Sequence, residues 1–423
     1  MPVDYMPRIV DKSVQEKLAV FGALCIEGPK WCGKTRTSME HSQSQFFIGD
    51  PSRDFQNRKL ASLDPGIVLA GPCPRLLDEW QEVPSLWDAV RYEVDRRGEL
   101  GQFILTGSST PTQKGILHSG AGRIGSIRMR PMSLYESGES SGVVSLQSIC
   151  RKDFTNHLVG ESKIEDLAHF IIRGGWPGTL SVAREDAYQV PREYLHQVIN
   201  HDIYRLEGVN RDTKKMEALL RSLARNESTT ASIQTLIRDI SFHDGNPINR
   251  ETVSNYLALF DRLFLIEDQN AFSSNIRSSV PIKQQAKRHF VDPSLPAALL
   301  GVTEEALIQD LNTFGFLFES LCERDLLIYA ESFGGKLFHY QDYKGNEIDA
   351  VISFDDGDWA AFEIKLGAGQ IDKAAKHLLA IKKQFAEDRL KGPEVLCVLC
   401  GLSHAAYQRE DGVYVVPITA LRE

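Results

Sequence analysis

A short apolar run, Ala19 to Ile26, leads into Gly28-Pro-Lys-Trp-Cys-Gly-Lys-Thr35, and Arg36 to His41 can begin a helix. No other stretch restricts the fold as tightly. A buried strand, a glycine-punctuated loop and a helix N-terminus aim backbone N–H groups and the positive end of the helix dipole at one point, where an anion is held. Gly28 and Gly33 let the backbone turn and approach a phosphate. Pro29, Lys30, Trp31 and Cys32 form the arch between them, and Arg36 follows at the helix start. Lys34 is expected to reach the β- and γ-phosphates and the Thr35 hydroxyl to sit on magnesium. The pattern predicts a nucleoside triphosphate site in an α/β domain.

Hydrolysis requires acids near that site. Leu76-Leu77-Asp78-Glu79 is a short apolar strand ending in two carboxylates. Asp78 is expected to hold Mg²⁺ and Glu79 to position and polarise the attacking water. A further strand, Gln102 to Thr106, ends in Thr106-Gly-Ser108-Ser109, and either Thr106 or Ser108 can contact the γ-phosphate and the water. Between these strands, Leu86 to Asp95 carries apolar residues at helical spacing. Arg123 precedes Ile124-Gly-Ser-Ile-Arg128-Met-Arg130. A guanidinium near a γ-phosphate stabilises the transition state, and Arg123 could supply one in trans from a neighbouring subunit. Arg128 and Arg130 read more plainly as one face of a strand.

These residues carry a resemblance. Gly28 to Thr35, Arg75-Leu-Leu-Asp-Glu-Trp-Gln81, Phe103-Ile-Leu-Thr-Gly-Ser-Ser109 and Gly122-Arg123 resemble the AAA+-type P-loop ATPases of bacteria and archaea that carry a C-terminal domain of unknown function. Arg173-Gly-Gly-Trp-Pro177 and His289-Phe-Val-Asp292 are similar to that family as well. The resemblance implies ATP binding with Mg²⁺, hydrolysis, and a homo-oligomer such as a ring.

At 423 residues, two or three domains are expected. We place the P-loop domain at 1–155, a helical, winged-helix-like domain at 156–300 and an α/β nuclease-like domain at 301–423. No apolar run approaches the roughly 18 residues of a membrane span. The N-terminus shows no apolar signal segment, so a cytoplasmic protein without a membrane partner is expected. The seven cysteines suit reduced thiols. Cys397 and Cys400 lie on an apolar strand, where a spacing of three sends side chains to opposite faces, so they read as core. A net charge of −9 supplies no global attraction to nucleic acid, leaving local patches.

Ser137 to Ser148, rich in Gly and Ser, reads as a linker or loop. Beyond it the spacing predicts helices over Ile164 to Ile172, Tyr188 to Tyr204 and Lys215 to Ala224. Ser232 to Ile240 and Asn249 to Phe260, joined by a turn at 241–247, resemble a winged-helix unit with Thr252 to Phe260 as recognition helix and Leu263 to Ile266 opening the wing. Arg277, Lys283, Lys287 and Arg288 fall in a stretch without acids, a candidate DNA-phosphate contact. The same cations can equally be solvated, or face ATP or a neighbouring subunit, in a helical lid-and-adaptor domain.

In the last segment, Glu319 sits mid-helix, and a strand pair, Asn346 to Phe354 and Trp359 to Lys365, is joined by a turn. If the loop is 355–357, residue 354 pairs with 358 and Asp349 falls opposite Glu363, with Lys365 on the same face. The pattern resembles the PD-(D/E)xK nuclease fold, with Ile348 where a proline often stands. Two carboxylates and a lysine on one face can hold Mg²⁺ and orient a water for phosphodiester cleavage. Lys373 to Phe385 is expected to pack on this sheet.

Three functions fit these residues: an oligomeric ATPase acting on or with DNA, an ATP-gated regulatory or defence switch with a protein partner, and an ATP-controlled metal-dependent DNA nuclease.

Overall fold

The computed structural model describes residues 5–110, 116–203, 212–245, 247–273, 285–342 and 345–423. The chain divides into two compact units. One comprises Met1–Pro131, Ile203–Val209 and Ala258–Leu265; the other comprises Met132–Asp202, Asn210–Leu257 and Ile266–Glu423.

In the first unit, short apolar runs become β1 (Ala23–Glu27), β2 (Ser44–Phe47), β3 (Arg75–Asp78), β4 (Phe103–Gly107) and β5 (Ile124–Arg128). They form one parallel sheet in the order β2-β3-β4-β1-β5. Covered on both faces, such strands read as continuous apolar sequence, because alternate side chains enter opposite cores. Ala23 and Cys25 join Leu77, Phe103 and Leu105 on one face; Leu24 and Ile26 join Leu76, Ile104 and Ile127 on the other. Val90 and Val94, from the helix Leu86–Arg97, close the first face, and Val14, from the helix Val10–Leu18, closes the second. β4 follows β3 in the chain but is inserted between β3 and β1 in the sheet. The C-terminal ends of β1, β3 and β4 therefore meet at one edge, where an open parallel sheet binds its ligand.

The second unit contains β6 (Val144–Ser145), β7 (His157–Leu158), β8 (Ile266–Gln269), β9 (Lys287–Phe290), β10 (Lys336–Gln341), β11 (Glu347–Ser353), β12 (Trp359–Gly367), β13 (Val395–Leu402), β14 (Ala405–Gln408), β15 (Tyr414–Pro417) and β16 (Leu421–Arg422). Its main sheet is mixed, in the order β10-β11-β12-β13-β15-β14-β7. β10 to β12 are antiparallel, whereas β13 runs parallel to both β12 and β15. The turn between β11 and β12 has the expected length: Phe354 N donates to Asp358 O at 2.9 Å, and pairs run from Ser353↔Trp359 to Ala350↔Phe362. The next pair in that register is Asp349 with Glu363. The helix Ile371–Glu387 lays Ala374, Leu378, Ile381 and Phe385 against Val351, Ala361 and Val398. Cys397 and Cys400 are buried free thiols on β13.

The expected linker at 137–148 departs from the reading. Val144, Leu146 and Ile149 are buried, β6 pairs with β16, and β7 extends the main sheet beside β14. A few apolar residues inside a Gly/Ser-rich composition hold this segment against the C-terminal strands.

The two motifs Arg173-Gly-Gly-Trp-Pro177 and His289-Phe-Val-Asp292 meet in the interior. Asp292 Oδ2 accepts from Gly175 N and from Arg324 Nη1, both at 2.9 Å, and Ser294 Oγ links Asp292 Oδ1 at 2.6 Å to Trp176 Nε1 at 3.0 Å. These residues build the core of the second unit.

The helices Thr213–Arg225, Ile233–His243 and Arg250–Arg262 precede β8. β8 and β9 are antiparallel, from Ile266↔Phe290 to Gln269↔Lys287, and Thr229, between the first two helices, bridges Arg288.

Candidate active site

The loop after β1 arches as its glycines permit. Gly33 has φ 106°, a left-handed conformation that disfavours a side chain. A Cβ on Gly28 would lie 2.1 Å from Met129 O, so only glycine fits there. Trp31 stands exposed at the crest with φ 71°. The helix Lys34–Glu40 starts directly after Gly33, bringing Lys34, Thr35 and Arg36 into its first turn. Lys34 is buried, its Nζ donating to Gly28 O at 2.9 Å and Pro29 O at 2.7 Å. Its ammonium thus rests on the carbonyl side of the phosphate cradle.

Asp78, the last residue of β3, and Glu79, directly after it, both meet this edge. Thr35 Oγ1 donates to Asp78 Oδ1 at 2.8 Å, and Thr106 Oγ1 donates to the same oxygen at 2.7 Å. Thr106 Oγ1 also accepts Glu79 N–H at 3.0 Å. Burial raises the Asp78 carboxyl above its ordinary value, and the bonds from Thr106 and Thr35 pull against it. A hydroxyl and a carboxylate this close are the hard oxygen pair that suits Mg²⁺, which takes one or two protein oxygens beside substrate phosphates. Glu79 has φ 59°, a left-handed backbone uncommon outside glycine that turns its side chain away from Asp78's course. Its Oε2 accepts from Ser108 Oγ at 2.9 Å and from Gln81 Nε2. The sequence left Thr106 and Ser108 undivided; the structure gives Thr106 to Asp78 and Ser108 to Glu79.

Arg123 stands elsewhere. It directly precedes β5, and its carbonyl accepts Ala23 N–H at 3.1 Å, so it lies at the N-terminal end of the sheet, opposite the phosphate loop of its own chain. Its Nε donates to Asp95 Oδ1 at 2.9 Å, half exposed.

Sequence reading missed a brace behind the loop. Arg8 is buried, with Nη1 donating to Cys32 O at 2.7 Å and Nη2 to Arg130 O at 2.9 Å. Asp11 binds Arg8 N at 2.7 Å, Tyr5 Oη at 2.6 Å and His41 Nε2 at 2.9 Å. An isolated arginine before a helix carries no spacing signal that would have revealed this.

The second unit brings Glu319, Asp349, Glu363 and Lys365 into one partly buried network. Lys365 Nζ lies 2.9 Å from Asp349 Oδ2 and 2.6 Å from Glu363 Oε2. His377 Nδ1 caps Glu363 Oε1 at 2.8 Å, and Ile364 N–H reaches Asp349 Oδ2 at 2.7 Å. Lys287 Nζ meets Glu319 Oε1 at 2.6 Å, Glu323 Oε1 at 3.2 Å and Asp349 O at 3.2 Å. His289 Nδ1 lies 2.9 Å from Glu323 Oε2 and 3.5 Å from Glu227 Oε1. Burial would lower the His289 imidazolium, but Glu323 and Glu227 push it up to about 10. Burial and the neighbouring Asp349 and Glu323 push the Glu319 carboxyl up to about 8 against the pull of Lys287. Burial works against ionised Asp349, yet Lys365 and Lys287 hold it below its ordinary value.

Lys287 was expected as a DNA contact; it is buried and neutralises carboxylates in the interior instead. Arg288 is tied to Ala231 O at 2.8 Å and lies 3.6 Å from Asp268. Arg277 and Lys283 lie outside the described residues. The metal expected at the nuclease-like pattern does not fit this arrangement: ammonium groups lie where a cation would bridge the acids. Among the described residues, no group of three or more His, Cys, Asp or Glu is placed to hold a metal ion.

The family model described as an AAA domain matches residues 21–138. Two domains of unknown function, DUF8612 and DUF4143, match residues 164–306 and 314–421. A search of curated proteins found no match. Among solved structures, the Walker-type ATPase PABY2304 of Pyrococcus abyssi aligns at 14% identity over 70% of this chain and 96% of its own, with a TM-score of 0.43. No helix among the described residues is long and apolar enough to cross a membrane. The chain is mixed α/β, and its N-terminal segment is a P-loop ATPase domain of AAA type.

Proposed function

We propose that the chain is a Mg²⁺-dependent ATP hydrolase that works as an oligomer and acts on or with DNA. The hydrolase reading is carried by one observation: the side chains of the two acids at the end of β3 are held by different partners. Asp78 is bound by Thr35 and Thr106, in line with the phosphate cradle, whereas Glu79 is turned aside and held by Ser108 and Gln81. Bound Mg²⁺ neutralises charge on the phosphates. Lys34 moves from the loop carbonyls to the phosphates, Asp78 and Thr35 supply metal ligands, and Glu79 accepts a proton from the attacking water.

The DNA part is supported by element order. A helix, the bridging Thr229, two more helices and the pair β8–β9 follow one another as in a winged helix. The fold after Leu311, a helix, three antiparallel strands, a helix and a parallel strand, accords with the nuclease-like reading. With its carboxylates engaged by Lys287, Lys365 and His377, we assign that domain a non-cleaving role.

Turnover of ATP by the purified chain, with and without single- and double-stranded DNA, tests both parts. Mg²⁺-dependent turnover stimulated by DNA is expected. Turnover indifferent to DNA would favour the protein-partner switch, and absence of turnover would sink the hydrolase.

A further inference from the structure

We infer that Gln81 is a positioning residue that holds the water-activating carboxylate of Glu79 in register with Ser108; the inference rests on the hydrolase reading above. Glu79 opens the single 3₁₀ turn Trp80–Glu82, and its left-handed backbone folds Gln81 back beside it. Gln81 Nε2 donates to Glu79 Oε2 and lies 3.2 Å from Ser108 Oγ, which itself donates to Glu79 Oε2 at 2.9 Å. The three side chains form a closed triangle. Both donors converge on one carboxylate oxygen, so the carboxylate plane is fixed while Oε1 stays outside the triangle. A base is useful only when its accepting oxygen is held in hydrogen-bond reach of the proton it takes, and this arrangement supplies that hold.

The amide can serve in one orientation only. Turned over, it would set Gln81 Oε1 against Glu79 Oε2, two acceptors facing each other. As placed, Oε1 is buried without a hydrogen-bond partner among the described residues. It faces Gly107 at the end of β4, where a Cβ would lie 3.4 Å from Gln81 Oε1 and 3.1 Å from Trp80 Nε1. Leaving a buried acceptor unpaired costs stability, and that cost is borne to keep the donor end on Glu79. Gln81 neither gains nor loses a proton; it acts through Glu79.

The test is a double-mutant cycle on steady-state ATP turnover with wild type, Gln81→Met, Glu79→Gln and the double variant, ADP affinity reporting an intact site. Gln81→Met keeps the bulk and removes the donor. It should lower kcat roughly tenfold and leave the KM for ATP within about twofold, the pattern of an interaction used in the chemical step. In the Glu79→Gln background the same change should add nothing further, because Gln81 acts through Glu79. An unchanged kcat in Gln81→Met, or an equal loss in both backgrounds, would overturn the inference alone. A wild-type protein that binds ADP but turns over no ATP would overturn the hydrolase reading and the inference with it.

Discussion

Two acidic clusters in this chain are solved by opposite means. At the phosphate loop, Asp78 and Glu79 are held by neutral donors: hydroxyls of Thr35, Thr106 and Ser108 and the amide of Gln81. In the second unit, Glu319, Glu323, Asp349 and Glu363 are held by Lys287, Lys365, His289 and His377. Neutral donors orient a carboxylate and leave its charge for an incoming cation. Ammonium and imidazolium groups cancel it. Clustered acidic residues thus make a reactive site in one place and an ion-paired core in the other, and partner chemistry decides which.

The largest effects should separate the clusters by phenotype. Lys34→Ala should abolish measurable turnover and weaken nucleotide binding while leaving the thermal unfolding of the second unit unchanged. Lys287→Ala should do the reverse, destabilising the second unit by about 3–5 kcal/mol in denaturant melts, the range for stranding buried charges. An effect below about 1 kcal/mol would show that Lys287 is not the cation balancing Glu319 and Glu323. Glu79→Gln comes next, with turnover reduced roughly tenfold or more and ADP affinity retained; undiminished turnover would remove its assignment as base.

A gentler probe is pH. His289 is raised to about 10 in the folded chain, so its stabilisation is complete below about 6.5 and is lost as pH climbs towards 10. Unfolding of the second unit should therefore move to lower temperature between pH 6.5 and 10, and His289→Gln should flatten the slope. A melting temperature that rises over that range would contradict the buried network. The smallest effect belongs to Lys12→Ala: the exposed pair with Glu16, 3.9 Å apart, is worth about 0–1 kcal/mol.

The sequence made legible whatever rests on local spacing. Gly28 to Thr35 announces its loop because backbone geometry requires those glycines at those intervals. The register of Asp349 opposite Glu363 follows from the length of one turn. Partners from distant chain segments were not legible. Lys287 belongs to a basic stretch in sequence and finds Glu319 and Glu323 only through the pairing of β8 with β9. Arg8 braces Cys32 and Arg130 from just before the first helix, with no motif to mark it. The segment 137–148 looks like a linker because its two buried apolar residues, Val144 and Leu146, are few, and its strand partner, β16, lies at the far end of the chain. Arg123 carries the charge of a transition-state arginine, but only the parallel pairing of β5 with β1 shows that its end of the strand lies opposite the phosphate loop.

The contrast between the clusters is tested most directly by Mn²⁺ binding, measured with and without ATP in the wild type, Asp78→Asn and Asp349→Asn. One site should appear only with nucleotide, disappear in Asp78→Asn and persist in Asp349→Asn. A site that forms without nucleotide and is lost in Asp349→Asn would contradict the account, because the second cluster would then be a metal site and not an ion-paired core.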